Sequence, residues 1–335
     1  MTVLRSIAFA IVTGRTLMIV KKSSRWSVEQ HLQDKRPHSL AVDPDDPDKL
    51  YVGTFNNGLF RSTDSGRNWE PVGDGIPHAR ITAVAVQTST VYAGTEPSTL
   101  SRSEDGGETW RVLEAMNTLP SASEWSFPPK PETHHVRWIE PDPHQPGRLY
   151  VAIEAGALIR TEDGGETWQD RVPDGPFDTH TAATHPAEAG RIYSAAGDGY
   201  YESEDGGESW QQPMDGLRHR YLVGVAVDPA DPDTVVISAA SGPHIAYRPR
   251  RAEAFIYRKR KAEPFELAME GMPEGAGTVA SRLISIAEEP RLFYATNNHG
   301  VFRSSDAGVS WHALEIPWPE GVFEHGVDAF VALGR

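Results

Sequence analysis

Histidine and arginine residues recur along the chain, each group standing just ahead of a short run of small and β-branched residues. In chain order these basic residues are His38, His78, Arg80, His134, His135, Arg137, His180, His219, Arg220, Arg282 and His325. Imidazoles brought together from neighbouring strands can bind a transition metal or act as general acids and bases near neutral pH. Guanidinium groups beside them would hold a carboxylate or a phosphate.

Within this set the sequence predicts several roles. The candidate catalytic groups are His134, His180, His219 and Glu154, and the three histidines are also the candidate ligands for a divalent metal such as Zn, Mn or Ni. Glu96 and Asp198 are further candidate carboxylates. The predicted ligand-binding residues are His38, Arg80, His135, Arg137, Arg220, Arg282, His325 and Asn297. For any one histidine, solvation of a polar surface is the simpler interpretation, whereas the whole set favours a ligand site.

A motif of eight residues, Ser/Thr-x-Asp-x-Gly-x-x-Trp, occurs five times. Its aspartates are Asp64, Asp105, Asp163, Asp205 and Asp306. Glycine suits a positive φ, aspartate accepts hydrogen bonds from turn N–H groups, and tryptophan fills an apolar gap. These residue types predict structural turns rather than catalytic acids. The spacing between the last two motif aspartates, Asp205 and Asp306, is about two repeat lengths. One repeat has therefore lost its motif, and Phe265 stands in the place of its tryptophan.

A second repeated phrase precedes each motif and reads as two β-rich runs joined by a Pro/Asp turn. Together the two phrases predict four strands per repeat, which is a propeller blade. Inner strands are predicted to start near Ser39, Ile81, Val136, Thr181, Leu222, Val279 and Val327. The fold is therefore an all-β, seven-bladed propeller with four-stranded blades.

The seventh predicted blade combines the two ends of the chain. It takes residues 4–32 together with the inner strand 326–333, and blades one to six take 38–325. Residues 1–335 are thus predicted as a single domain, and the arrangement hides sheet edges that would otherwise invite aggregation.

Blade order also predicts which loops meet. In a propeller, the loops that enter the inner strands open at one end of the central channel, and the motif turns lie at the other. The basic residues are therefore expected to converge at one channel end, with His144 and His185 at the opposite end. Two long loops, 116–132 and 241–253, flank the expected site, and long ordered loops are often functional.

The eight-residue motif resembles the Asp-box, or BNR repeat, of sialidase-like propellers. The chain is similar in this respect to sialidases, two-propeller xyloglucanases, sortilin-type receptors and seven-bladed photosystem II assembly factors, and it looks like the broad group of prokaryotic glycosidase-like propellers. The resemblance implies a hairpin turn at each motif. It does not imply classical sialidase activity, because the Arg-Ile-Pro motif is missing and seven blades are predicted instead of six. The xyloglucanase interpretation would require a second propeller.

Composition narrows the class of partner. The formal net charge is −15, which disfavours nucleic acid and anionic membranes. Cysteine is absent, so disulfides and thiolate metal sites are excluded. The apolar stretch Ser6–Val20 is split by Gly14 and Arg15, which favours a pair of strands over a targeting or membrane segment. We therefore expect a cytoplasmic monomer.

Three classes of function remain open from the sequence. The first is a propeller that binds a small anionic molecule, a glycan or a protein at the His/Arg channel end. The second is a glycosidase-like hydrolase or a lyase, with or without a divalent metal, that uses the same residues. The third is a scaffold without a small ligand, since fold alone does not determine function.

Overall fold

Seven antiparallel sheets, arranged as the blades of a propeller, make up the computed structural model, which describes residues 8–333. This confirms the predicted seven-bladed all-β fold. The first strands are β1 (Ala8–Thr13), β2 (Thr16–Lys22) and β3 (Trp26–His31). Residues 4–7, which the sequence assigns to the seventh blade, lie outside the described part of the chain.

Blades one to three follow in chain order. Blade one contains β4 (Pro37–Val42), β5 (Leu50–Thr54), β6 (Leu59–Ser62) and β7 (Glu70–Pro71). Blade two contains β8 (Ile81–Gln87), β9 (Thr90–Thr95), β10 (Leu100–Ser103) and β11 (Arg111–Val112). Blade three contains β12 (Val136–Pro141), β13 (Leu149–Ile153) and β14 (Ala157–Thr161). Short 3-10 helices at Gln33–Lys35, Glu114–Thr118 and Pro120–Glu124 lie between strands.

Blades four to six continue around the ring. Blade four contains β15 (Thr179–Thr184), β16 (Ile192–Ala196) and β17 (Gly199–Ser203). Blade five contains β18 (Tyr221–Asp228), β19 (Asp231–Ala240), β20 (Ala254–Arg260) and β21 (Glu266–Leu267), with the helical turn α1 (Pro243–Ala246) before β20. Blade six contains β22 (Arg282–Ser285), β23 (Phe293–Asn297), β24 (Gly300–Ser304) and β25 (His312–Ala313). Blades three and four have isolated bridges in place of a regular fourth strand.

The two ends of the chain share blade seven. Strand β26 (Ala329–Leu333) pairs antiparallel with β1, from Ala8 opposite Leu333 to Val12 opposite Ala329. The resulting order is β26-β1-β2-β3, with the C-terminal strand innermost. Both β1 and the first five residues of β2 are buried, which explains the apolar N-terminal sequence as propeller core. No helix among residues 8–333 is long and apolar enough to cross a membrane.

Each eight-residue motif forms the turn that follows the third strand, and the hydrogen bonds of its aspartate recur in all five copies, with the Asn68 amide replacing a hydroxyl donor in the first. In the third copy, Asp163 accepts hydrogen bonds from the Thr167 backbone N–H at 2.9 Å, the Thr167 hydroxyl at 2.6 Å and the Thr161 hydroxyl at 2.8 Å. The Gly165 N–H donates to Thr161 Oγ1, and its φ of 94° explains the glycine. Burial alone would raise the pKa of Asp163, but these bonds outweigh it and hold the pKa at about 2.

A basic side chain on the third strand of one blade donates to the fourth residue of the next blade's motif. We call this contact the blade latch. The donor and acceptor pairs are Lys21 to Ser65 O, Arg61 to Gly106 O, Arg102 to Gly164 O, Arg160 to Gly206 O and Arg258 to Ala307 O. The latch therefore ties each motif to the blade before it.

Blade five has lost its motif, and the latch changes with it. Phe265 is buried where the tryptophan would stand, and its ring lies edge-on to Tyr200 of blade four at 5.1 Å. Blade four carries Glu202 at the position of the latch arginine. Its carboxylate accepts two hydrogen bonds from Lys259 of blade five, each at 2.7 Å. An ion pair thus replaces a guanidinium–carbonyl contact at this blade junction.

We predict that Asp163→Ala lowers stability without altering any ligand site, because three donors lose their acceptor at the end of the blade far from the channel mouth. The expected loss is about 1–2 kcal/mol in the free energy of unfolding. Thermal or urea unfolding measures it. Asp45→Ala, at an exposed aspartate in the β4–β5 turn, is the control and should change stability little. Equal stability of the two variants would contradict the structural role of the motif.

Candidate functional site

The inner strands of the blades surround a central channel with a volume of about 400 Å³. Five of these strands carry a β-bulge near their start, at the second residue in His38, Thr82, Arg137 and His180 and at the third in Val223. A bulge redirects the side chain of the extra residue and commonly occurs next to functional sites. Three of the predicted site residues, His38, Arg137 and His180, occupy bulged positions at the same channel end.

We call this channel end the mouth. Its polar side chains form the mouth cluster, which consists of His38, His135, Arg137, Glu154, Asp178, His180, Tyr221, Tyr247, Arg282 and Asp328. The sequence predicted six of these ten. Asp178, Tyr221, Tyr247 and Asp328 were missed, although each lies at the start of an inner strand or in a long loop that the sequence singled out.

Glu154 contacts two basic side chains of its own blade. Its Oε2 lies 2.8 Å from His135 Nε2 and 3.2 Å from Arg137 Nε. Burial would raise the pKa of Glu154, but Arg137 and His135 outweigh it and bring the pKa down to about 2. Glu154 therefore stays ionised at neutral pH and cannot act as a general acid there.

His180 is fully buried, and both of its ring nitrogens have partners. Nδ1 lies 2.5 Å from Leu222 O, and Nε2 lies 3.2 Å from the Tyr221 hydroxyl and 3.7 Å from Asp178 Oδ2. Burial, followed by the charge of Arg137, lowers the pKa of His180. Burial raises the pKa of Asp178. His180 is thus a packed, bonded member of the mouth and not a free acid–base group.

Arg282 differs from Arg137 in forming no salt bridge with a carboxylate of the described residues. Within residues 8–333, no carboxylate oxygen lies within 4 Å of its guanidinium, and its Nε donates to Val327 O at 3.2 Å. Asp328 lies 3.9 Å from His38 instead. Burial raises the pKa of Asp328 to about 6 against the opposing charges of Arg282 and Arg137. Burial and Arg137 lower the pKa of His38 to about 3, so that imidazole is neutral.

The loop 241–253 covers part of the mouth. It turns through α1 and places Tyr247 beside Tyr221, with the two hydroxyls 3.3 Å apart. The outer side of the loop carries Arg248, Arg250 and Arg251, which line a surface cavity together with Glu324 and His325. The mouth therefore has arginines at its rim and two further arginines, Arg137 and Arg282, near its centre.

The loop 116–132 packs down instead of reaching into the mouth. Trp125 is 5% exposed, its Nε1 donates to Ser121 Oγ at 3.0 Å, and its ring lies edge-on to His134 at 5.7 Å. Phe127 packs edge-on against His135 at 4.9 Å. This loop supports the site residues from outside.

Several predicted site residues lie elsewhere. Arg80 forms an ion pair with Glu96 at 2.7 Å, and Asn297 is fully buried and bonds to Ser281 at 3.2 Å. His219 stacks on Phe255 at 4.1 Å. Residues with exposed side chains are Asp198, Arg220 and His325.

The predicted metal set of His134, His180 and His219 does not form. Packing accounts for this, because His134 contacts Trp125 and the His219 Nδ1 bonds the Tyr257 hydroxyl at 2.6 Å. In the described part of the chain, the three side chains close enough to share an ion are Glu154, Asp178 and His180, within 4.8 Å of one another. Glu154 is already paired with Arg137 and bonded to His135, so this trio fits an ion-pair network better than a metal centre.

The opposite end of the channel holds one more titratable group that the sequence did not single out. Glu140 on β12 accepts hydrogen bonds from the Thr184 N–H and hydroxyl, both at 2.9 Å, and from Trp138 Nε1 at 3.1 Å. Burial raises the pKa of Glu140 to about 7 despite these bonds. The available signal was a glutamate between Ile139 and Pro141 near the end of an inner strand. His144 and His185 lie in turns at this end, as expected, and His144 Nε2 is 3.0 Å from His185 O.

Comparison with known proteins identifies the family of the chain. The model of the family described as photosynthesis system II assembly factor YCF48, a BNR-repeat family, matches residues 18–212, more than half of the chain. The chain belongs to this family. This YCF48-family chain is 29% identical over 157 residues to an oligoxyloglucan-reducing end-specific xyloglucanase of Emericella nidulans, covering 42% of the chain and 18% of that enzyme. It is 26% identical over 249 residues to xyloglucanase Xgh74A of Acetivibrio thermocellus, covering 60% of the chain and 29% of that enzyme.

Solved structures show the same fold. The GH74 enzyme of Niastella koreensis superposes with a TM-score of 0.68 at 17% identity, over 92% of the YCF48-family chain and 54% of that enzyme. YCF48 bound to a D1 peptide superposes with a TM-score of 0.59 at 17% identity, over 91% and 84% of the two chains. The chain spans less than a third of the length of the two curated xyloglucanases above. Its relatives thus include both glycoside hydrolases and an assembly factor.

We predict that Glu140→Gln stabilises the protein at high pH. Above pH 7 the folded protein must hold an ionised carboxylate in the channel wall, whereas near pH 4.5 the group is protonated and costs little. The stability difference should therefore grow between pH 4.5 and 7, to about 3 kcal/mol, and then stay constant. Thermal unfolding over this range measures it. Glu315→Gln, at an exposed position, should show no such trend. A difference independent of pH would contradict the assignment.

Proposed function

We propose that this chain is a binding propeller that takes an anionic group, of the carboxylate class, at the channel mouth. The observation that carries the proposal is Arg282. It lies at the start of an inner strand, faces the channel, and has no carboxylate within 4 Å among residues 8–333. A buried guanidinium is costly without a counter-ion, and a ligand carboxylate would supply one with paired hydrogen bonds.

The surroundings of Arg282 support an anion over a cation. Burial and the nearby charge of Arg137 both lower the pKa of Arg282, so the two guanidinium groups are close enough to repel each other. An anion between them would relieve that repulsion. The hydroxyls of Tyr221 and Tyr247 are additional donors, and the loop arginines outside the mouth would attract an anion toward it despite the acidic surface as a whole.

The hydrolase alternative has less support. Of the predicted catalytic groups, Glu154 is locked ionised by Arg137, and both nitrogens of His180 are bonded. His134 and His219 are packed against aromatic rings away from these two. A general acid needs a pKa near the working pH and access to the substrate, and these four groups lack one or the other.

Relatives suggest where the anion could come from. The YCF48 structure with a D1 peptide shows that a propeller of this family can bind a segment of another protein. A peptide offers carboxylates at its acidic side chains and at its C-terminus. Xyloglucanases act on a glycan, but a neutral glycan would not supply a counter-ion to Arg282.

We predict that Arg282→Met reduces acetate binding by roughly 10- to 100-fold, the effect of losing a charge-assisted hydrogen-bond pair. Saturation-transfer NMR at low salt with acetate as the probe measures the affinity. Arg282→Lys should retain part of it, because the charge remains. Arg220→Met is the matched control, since Arg220 is exposed and should not contribute. Equal acetate affinity in wild type and Arg282→Met would refute the proposal.

Acetate affinity should also rise severalfold as the pH falls from 7.5 to 5.5. Asp328, with a pKa of about 6, loses its negative charge over this range and stops repelling the ligand. The charged and titratable groups that face it are Arg282, Arg137 and His38, and His38 is neutral throughout. Asp328→Asn should bind acetate more tightly at pH 7.5 and remove the pH dependence. Persistence of the trend in Asp328→Asn would assign it to another group.

A further inference from the structure

Below the mouth cluster the channel becomes apolar. The middle of the inner strands is lined mainly by alanine, valine, leucine and isoleucine. Ala183, Ile284, Ala329 and Val331 are each partly exposed, although they lie in the innermost strands of their blades. Because these strands line the channel, the exposed apolar surface faces the channel.

The two ends of this apolar section differ in whether their charged side chain already has a partner. At the mouth, Arg282 lacks a carboxylate within 4 Å among the described residues. At the other end, Glu140 is already satisfied by Thr184 and Trp138. Arg137 and Glu140 are three residues apart on β12, which corresponds to about 10 Å along a strand. An occupant therefore needs an anionic group at one end only, followed by a chain.

Water is a poor occupant of such a section. A buried water usually makes about three hydrogen bonds to polar groups, and apolar side chains offer none. An apolar chain in the same space gains by leaving water, and it fits a cavity of about 400 Å³. Apolar walls with a few convergent polar groups at one end are typical of small-molecule sites.

We propose that the channel binds an aliphatic monocarboxylic acid, with the carboxylate on Arg282 and Arg137 and the hydrocarbon chain along the Ala183, Ile284, Ala329 and Val331 surface. This inference rests on the proposed anion site and adds the class of its ligand. The acid enters intact and no bond is made or broken.

The test is a chain-length series in which the head group stays constant. Acetate, butyrate, hexanoate and octanoate are titrated into wild-type protein, each below the concentration at which it forms micelles. Affinity should increase roughly fourfold for each methylene buried, which corresponds to about 0.8 kcal/mol. A plateau is expected once the chain reaches the level of Glu140.

Variants separate the head site from the tail site. Ala183→Leu narrows the channel and should reduce octanoate affinity to the level of acetate, while acetate affinity stays unchanged. Ala329→Leu, on the opposite side of the ring, provides the same test if Ala183→Leu fails to fold. Ala187→Leu, an exposed alanine in the turn after β15, is the matched control and should leave the series unchanged. Arg282→Met should weaken all four acids.

The two proposals fail in different ways. If acetate binds through Arg282 but affinity does not depend on chain length, the channel inference is wrong and the anion site stands. If octanoate binds equally well in wild type, Ala183→Leu and Arg282→Met, it adsorbs elsewhere and the channel inference is again wrong. If none of the acids responds to Arg282→Met, the anion site itself is wrong.

Discussion

The pairing of β26 with β1 is the interaction on which the rest of the molecule depends. It joins residues near position 10 to residues near position 330 in one antiparallel register and closes the ring. Without it, blades one and six would each leave an open face, and the inner strands would not enclose a channel. The same pairing brings Asp328 to the mouth, opposite Arg282 and Arg137. The electrostatics of the site are thus set by how the ring closes.

The mouth brings together charged side chains of a kind that proteins usually leave exposed to solvent. Ring geometry is the physical reason, because the inner strands bring their first residues to one axis. Most of the resulting charges are paired or neutralised: Glu154 is paired with Arg137, His38 is neutral, and burial raises the pKa of Asp328 to about 6. Arg282 is the group for which this compensation is incomplete. The proposal of a binding site rests on this imbalance.

The sequence predicted the architecture well because the repeat fixes the phase of every blade. Five motifs placed the turns, and even the blade without one was located through Phe265.

The sequence identified some of the residues at the mouth and missed others, and the local geometry of the strands explains the difference. A β-bulge at the second residue of several inner strands decides which side chain enters the channel, so Arg137 points inward while His134 packs on Trp125. A shift of one residue turns the side chains that follow it to the other face of the strand, and no single sequence records such a shift. Glu140 and Asp328 depend on burial, which periodicity alone does not quantify.

The blade latch has a direction. In each case the basic side chain belongs to the earlier blade and the carbonyl to the later one, so the contact is head-to-tail. Head-to-tail contacts close into a ring only when the number of units matches the rotation between them; otherwise they leave one donor face and one acceptor face open. Deleting a single blade from this chain would therefore create two mutually complementary surfaces, and copies of the shortened chain would be prone to join end to end into fibres. With all seven blades present the ring closes, and neither face is left open for such self-assembly.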